Sequence, residues 1–324
     1  MTATVGPNVA LIGLAVCALG RLPTARAALA REARSESRAT PVERALSGGL
    51  VALRTPGSLM IRVVGGRFVM GSSADEALEA AALCAREPLG ASRCDEHTFA
   101  NETPRRVEHV GSFWLDRTEV TAADYDRCAT RGRCARRKLD GGARRFAQPE
   151  LPATLVTADE AEAFCRARGA RLPREAEFER AARGSAGRRY PWGELWNDKL
   201  ANHGRAGFDD EDWRDGYAEL APVGSFPAGR TRDGFLDLAG NAAEWTRDQY
   251  SDRYGTPPSP GHTGERVVRG GDYTSSGAFL RGAARRPLES GEREPNVGFR
   301  CARAFAEDES GEDASPAATP GAKP

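Results

Sequence analysis

The chain has 324 residues, with 46 Lys plus Arg against 46 Asp plus Glu. It is long enough for one sizeable core and carries no net field that would draw it to nucleic acid or an anionic membrane surface. Thirty-six glycines and 20 prolines beside only 7% aromatics exclude a regular helical bundle and predict a loop-rich fold of short strands and helices.

An apolar run from Val9 to Leu19 closes at Gly20-Arg21, and Ala25-Arg26-Ala27 follows in the small-x-small pattern of a cleavage site. Residues 1–27 therefore read as a signal peptide, although no Lys or Arg precedes the run. The expected location is exported: periplasmic, envelope or secreted. The run is about half of the roughly 20 residues a spanning helix needs, so no stable membrane span is expected. Leu14-Ala15-Val16-Cys17 departs from a lipoprotein box in the bulk of Val16. Residues 28–55, rich in Ala and Arg, read as a flexible leader or weak surface helix, and residues 306–324, acidic and small, as a disordered tail. No repeat or linker divides 56–305, which is taken as one domain.

In that domain, Ile61/Val63 and Phe68/Met70 alternate around Gly65-Gly66 and predict a hairpin-like pair of strands, with a further strand within Ser112–Val120. Thr121 to Asp124 and Thr157 to Glu160 have the spacing of capping boxes, and helices should follow each. Gly169 stops the second of these, and a third helix is predicted over 174–183 after Pro173. From Tyr190 to Arg303 no long periodic segment appears. Six cysteines follow the leader: Cys84, Cys94, Cys128, Cys134, Cys165 and Cys301. In an oxidising compartment Cys84/Cys94 and Cys128/Cys134 suit local staples, which leaves Cys165 with Cys301, though six cysteines formally allow fifteen pairings. The four histidines His97, His109, His203 and His262 have no metal-ligand spacing, and no CxxC pair suggests zinc.

The order of landmarks resembles the formylglycine-generating enzyme (sulfatase-modifying factor) family. It runs from Gly65-Gly66-Arg67-Phe68-Val69-Met70-Gly71 through Glu119-Val120-Thr121, Gly169-Ala170-Arg171-Leu172-Pro173 and Tyr190-Pro191-Trp192-Gly193. It continues through Gly240-Asn241 with Glu244-Trp245 and Arg269-Gly270-Gly271, and ends at Asn296-Val297-Gly298-Phe299-Arg300-Cys301. The resemblance implies a compact, C-type-lectin-like α+β domain with little regular secondary structure. It also implies a disulfide between Cys165 and Cys301. Residues 75–101 and the basic stretch 132–150, with Arg133, Arg136, Arg137, Lys138, Arg144 and Arg145, stand outside the family pattern and are expected as surface loops. The basic loop reads first as a solvated surface and second as a contact surface.

Oxidase members of that family hold copper(I) on two cysteines after a Gly-Gly-Ser turn. Here Asp272 stands at the serine, Ser275 and Leu280 at the cysteines, and Ala243 at a tryptophan. Copper(I) demands soft thiolates, so copper and the copper-dependent oxidation of cysteine are expected to be absent. Asp272, Ser275 and His262 contain the residue types of a hydrolytic triad but lack a nucleophile-elbow context. The resemblance further implies structural calcium, with ligands from Asp237, Gly240, Ala242 and Glu244. The competing reading is a helix start, capped by Asn241 with Glu244 three residues on. A second ion near Asn202 and Asp209 fits by position only. The expected function is an exported peptide- or protein-binding or structural module. The alternative is an enzyme of the same family, a formylglycine-generating oxidase or another oxidative chemistry, using a diverged site.

Overall fold

A computed structural model describes residues 42–45, 51–55, 58–87, 90–205, 213–257 and 262–305, all within one compact unit that begins at Val42. The signal segment, most of the leader, Asp209 and the acidic tail lie outside the described residues.

Three sheets and four principal helices make an α+β fold. The largest sheet takes β1 (Val42–Ala45), β2 (Val51–Thr55), β3 (Ser58–Val63), β6 (Phe113–Asp116) and β11 (Ala302–Ala304), every neighbour antiparallel. A two-stranded sheet pairs β4 (Gly66–Met70) with β5 (Arg106–Val110). The third orders β10 (Val297–Gly298), β7 (Ala243–Gln249), β8 (Glu265–Arg269) and β9 (Arg285–Glu289), with β10 parallel to β7. No described helix is long and apolar enough to cross a membrane.

Three expectations change. The strands around Gly65-Gly66 do not pair with each other: β3 pairs with β2 and β6, and β4 with β5. A Cβ at Gly65 would collide with the backbone of Gly111 and Ser112, so the chain turns there from one sheet into the next. The end of the leader is a strand, because β3 offers it a partner edge and Leu53 then buries its side chain in the main core; a composition averaged over 28–55 conceals these five residues. The insertion 75–101 is not a surface loop. It forms α1 (Ala74–Ala85) behind a Ser73/Glu76 capping box, and Ala77, Ala80, Ala81 and Cys84 recur at helical spacing and are buried.

The helices α2 (Ala122–Thr130), α3 (Ala158–Ala167) and α4 (Glu175–Arg183) start where the sequence predicts, the first two on the Thr121 and Thr157 side chains. Tyr125, Phe164 and Phe299 meet in the main core with ring centroids 5.4–6.1 Å apart, and Cys165 of α3 is joined there to Cys301. Two further disulfides, Cys84–Cys94 and Cys128–Cys134, close local loops. The basic stretch remains largely exposed. It is fixed at its base by buried Phe146 and by Arg137, which donates to Asp126 at 2.8 and 3.0 Å and to the Phe146 carbonyl.

Candidate functional site

The segment after β8 is folded by its own short hydrogen bonds. Gly270 and Gly271 take left-handed backbone angles, φ 93° and 64°, and a Cβ at Gly271 would press on the Phe279 carbonyl at 2.8 Å. Asp272 then accepts from the Thr274 amide and hydroxyl at 2.9 and 2.6 Å through one oxygen, and from Asn296 Nδ2 at 2.9 Å through the other. The Asp272 amide donates to Ser275 Oγ at 3.1 Å, and the Ser275 amide returns a bond to the Asp272 carbonyl. Both side chains serve the turn. Leu280 is fully buried among Tyr190, Ala201 and Ala239.

Neighbouring elements clamp this segment. The Trp196 ring lies where a side chain at Gly277 would go, and Gly204 packs on the Thr274 backbone. On the other side α1 and Phe99 cover Ala278 and Phe279, with the Phe99 and Phe279 ring centroids 4.9 Å apart. Arg281 grips Glu102 at 2.5 and 2.8 Å. The insertion thus packs against the stretch that carries the oxidase cysteines elsewhere in the resembling family. A cavity of about 40 Å³ remains beside Ser275, lined also by Ala243, Val268 and Phe279.

The triad is not assembled. His262 pairs with Glu265 through Nδ1 and with Asp252 at 3.0 Å through Nε2, while Ser275 Oγ meets the Asp272 amide and not a base.

The turn from Asp237 to Glu244 sits directly behind the segment. The Gly240 amide donates to the Gly270 carbonyl at 3.0 Å and the Tyr273 amide to the Asn241 carbonyl at 3.0 Å. Asp237 and Asn241 both adopt positive φ, 56° and 63°, and the chain continues as strand β7. The helix-start reading is therefore wrong: a left-handed Asn241 turns the backbone away from a helix, and its side chain is used elsewhere. Asn241 Oδ1 accepts from Ala221 and Asn202, and Nδ2 donates to Glu119 at 2.9 Å.

Three carboxyl groups, Glu119, Asp237 and Glu244, are buried here around the Arg300 guanidinium, with Arg117 also acting on Asp237. Arg300 donates to both oxygens of Glu244 at 2.7–3.0 Å and to the carbonyls of Asp116, Arg117, Leu236 and Asp237. Burial, then the charges of Asp237 and Glu244, pushes the Glu119 carboxyl well above the usual range. Burial also raises Asp237 and Glu244, the latter despite Arg300. Glu119 Oε2 meets no N–H donor, and the Glu119 carboxyl is within hydrogen-bonding reach of the Asp237 carboxyl. This excess of hard, negative oxygen suits a cation such as calcium. No cluster of three or more His, Cys, Asp or Glu side chains among the described residues is arranged as a metal site by itself, so carbonyls such as those of Gly240 and Ala242 would have to supply part of the shell. The sequence reading missed Glu119, whose place in the Glu119-Val120-Thr121 landmark was its only signal. Asn202 Oδ1 is also buried and unpartnered; Asp209 lies outside the described residues.

A second buried network lies on the far side of β8. Arg269 donates to Glu179 at 2.5 Å and to the carbonyls of Gly282, Ala283 and Ala284. Burial alone would raise Glu179; Arg269 and Arg183 more than reverse it and hold the carboxyl below its ordinary value.

Mixed short sheets, disulfide-joined loops and this clamped turn define a formylglycine-generating-enzyme-like, C-type-lectin-like α+β domain. Residues 51–305 match the family model for the sulfatase-modifying factor enzyme 1-like domain, and the chain belongs to that family. It is 36% identical over 177 residues to the formylglycine-generating enzyme of Streptomyces coelicolor, covering 48% of this chain and 53% of the relative. It is also 36% identical over 160 residues to the inactive C-alpha-formylglycine-generating enzyme 2 of Mus musculus, covering 47% and 49%. The chain thus spans about half the length of the curated relatives it matches. The solved structure of PvdO from Pseudomonas aeruginosa superposes with a TM-score of 0.59 at 27% identity, covering 76% of this chain and 95% of that one.

Proposed function

We propose that this protein is an exported member of the family without copper-dependent cysteine oxidation, and that it serves as a peptide- or protein-binding or structural module. One observation carries the reading. The positions matched to the copper ligands hold a hydroxyl engaged in its own turn, Ser275, and a buried isobutyl group, Leu280, while all six described cysteines are in disulfides. Neither group offers the soft sulfur that copper(I) requires, so no step is routed through copper. The three disulfides support an oxidising compartment. The relatives include both a formylglycine-generating enzyme and a protein named as inactive, so membership alone does not fix the chemistry.

The rival, another reaction run at the same place, needs a substrate-sized pocket. The cavity beside Ser275, about 40 Å³, has room for a few water molecules. The test incubates the purified full chain with copper and a panel of cysteine peptides, following oxygen uptake and peptide mass. No formylglycine mass shift is expected; turnover above the copper-only blank would sink the reading.

We further propose that calcium binds at the Asp237–Glu244 turn, with Asp237, Glu244 and the Gly240 and Ala242 carbonyls as ligands. Bound there it would neutralise the buried carboxylates and brace the turn. Its role would be structural. The melting temperature should rise with calcium and fall with chelator by mass action, and Asp237→Ala, which removes the oxygen ligand, should blunt that response. Equal melting temperatures in calcium and chelator would refute it.

A further inference from the structure

The basic stretch outside the family pattern is held as a fixed loop. Between positions 131 and 148 the sequence carries seven Lys or Arg against the single carboxylate of Asp140. The Cys128–Cys134 disulfide closes the first arm of the loop onto the end of α2. Buried Arg137 forks onto Asp126 of α2 at 2.8 and 3.0 Å, and its bond to the Phe146 carbonyl at 3.1 Å ties the first arm to the second. The second arm winds as a 3-10 helix over Gly141–Ala147, anchored by buried Phe146. Arg145 clasps Glu219 at 2.7–2.9 Å and lies over the Phe146 ring. Arg137 and Arg145 are thereby engaged in the fold. Arg133, Arg136, Lys138 and Arg144 are exposed, and among the described residues none of them has a side-chain hydrogen bond or ion pair.

The ordinary reading is a solvated face, which long charged side chains make without help. That accounts for the exposure and not for the anchoring: a disulfide, a buried guanidinium fork and a buried ring set the backbone of both arms in advance, so a partner would not have to order them. Nor is the loop remote from the site. Ala143 of its second arm and Tyr273 of the segment after β8 pack against the same cluster of Phe146, Leu151, Leu220 and Ala242, so the free cations border the Ser275 segment. Guanidinium forks match carboxylates edge on. An extended polypeptide spaces alternate side chains about 7 Å apart, so cations that meet it need only follow one another and need not converge on one atom. Nucleic acid fits less well, because Phe146 is buried and the loop offers bases no exposed ring to stack on. An anionic membrane also fits less well: none of the large exposed apolar side chains among the described residues, Val64, Leu78, Val107, Leu195 and Trp213, belongs to the loop.

We propose that Arg133, Arg136, Lys138 and Arg144 form a docking surface for an acidic, extended segment of a partner protein, beside the Ser275 segment. The proposal rests on the protein-binding reading above and gives that partner a chemistry. Its failure would leave the absence of copper chemistry untouched, which the incubation with copper and cysteine peptides judges separately.

The test is fluorescence anisotropy of a labelled oligoglutamate peptide titrated with the full chain at several ionic strengths. Saturable binding is expected at low salt, with most of it lost once the screening length falls below about 10 Å. An oligoserine peptide of the same length should not bind. Arg133→Ala, Arg136→Ala, Lys138→Ala and Arg144→Ala combined should weaken binding at least about tenfold, several exposed ion pairs being lost together. The melting temperature of that quadruple variant should match wild type, because none of the four side chains is bonded in the free protein. Arg303→Ala, at an exposed position on β11, should leave binding unchanged. Alanine at both Cys128 and Cys134 keeps every charge but loosens the loop, and should weaken binding a few-fold; equal binding there would reduce the loop to a solvated charge run and overturn the docking surface. So would wild-type affinity in the quadruple variant, or no saturable binding at low salt. Tighter binding of oligothymidylate than of oligoglutamate would assign a nucleic acid, and tighter binding of phosphatidylserine vesicles a membrane. Self-association of the chain alone, abolished in the quadruple variant, would assign a second copy. Each of these three results would overturn the acidic partner.

Discussion

Replacing Arg300 by methionine lowers the stability of the domain by about 3–5 kcal/mol, on the order of 10 °C in melting temperature for a domain of this size. The guanidinium is wholly buried, pairs with both oxygens of Glu244 and ties the carbonyls of Asp116, Arg117, Leu236 and Asp237 to one point. Its loss strands Glu244 beside Glu119 and Asp237 with no guanidinium bonded to it, and releases carbonyls from both the β6 end and the Asp237 turn. A buried pair costs most when only one member is removed. The double variant Arg300→Met with Glu244→Gln should therefore melt above Arg300→Met alone. Circular dichroism melts of the three proteins would decide this; a single variant within about 2 °C of wild type would mean that water or another cation already screens Glu244.

Removal of the Cys165–Cys301 bridge, by alanine at both positions, should cost about 5 kcal/mol in the chain-entropy view, against about 2–3 kcal/mol for either local bridge. The ordering follows from the loops closed: the sequence separations are 136, 10 and 6. Cys165 and Cys301 are also fully buried beside Phe164 and Phe299, so truncating them opens space in a packed core. Unfolding midpoints in denaturant for the three double-alanine variants, each under non-reducing conditions, would measure it. Equal losses at all three bridges would contradict the ordering.

Local signals were legible where one side chain decides the geometry. Thr121 and Thr157 start helices because each hydroxyl takes an amide of the first turn, and the apolar spacing behind them reads directly as a buried face. Pairing between distant segments was not legible. Nothing near Gly65-Gly66 says that β4 will find Arg106–Val110, because that choice depends on the backbones of Gly111 and Ser112 closing on Gly65. The insertion was misjudged for a related reason: its alanines make a weak apolar signal alone and a strong contact once Phe99 and Phe279 are beside them. At the site, the substituted positions Asp272, Ser275 and Leu280 could be named from the ordered motifs. What they do could not, since the Asp272–Ser275 turn and the burial of Leu280 arise only in three dimensions. The missing half of the buried charge balance, Glu119, lies more than 100 positions from Asp237 in the chain, and no local spacing joins them.

The central claim is that this family scaffold carries no soft-metal centre. Its most direct measurement is an anaerobic copper(I) titration of the full chain, disulfides intact, against a chromogenic chelator. The account predicts that the chelator keeps the copper and that wild type and Ser275→Ala behave alike. Stoichiometric capture of copper(I) by the wild-type chain, lost in Ser275→Ala, would contradict it.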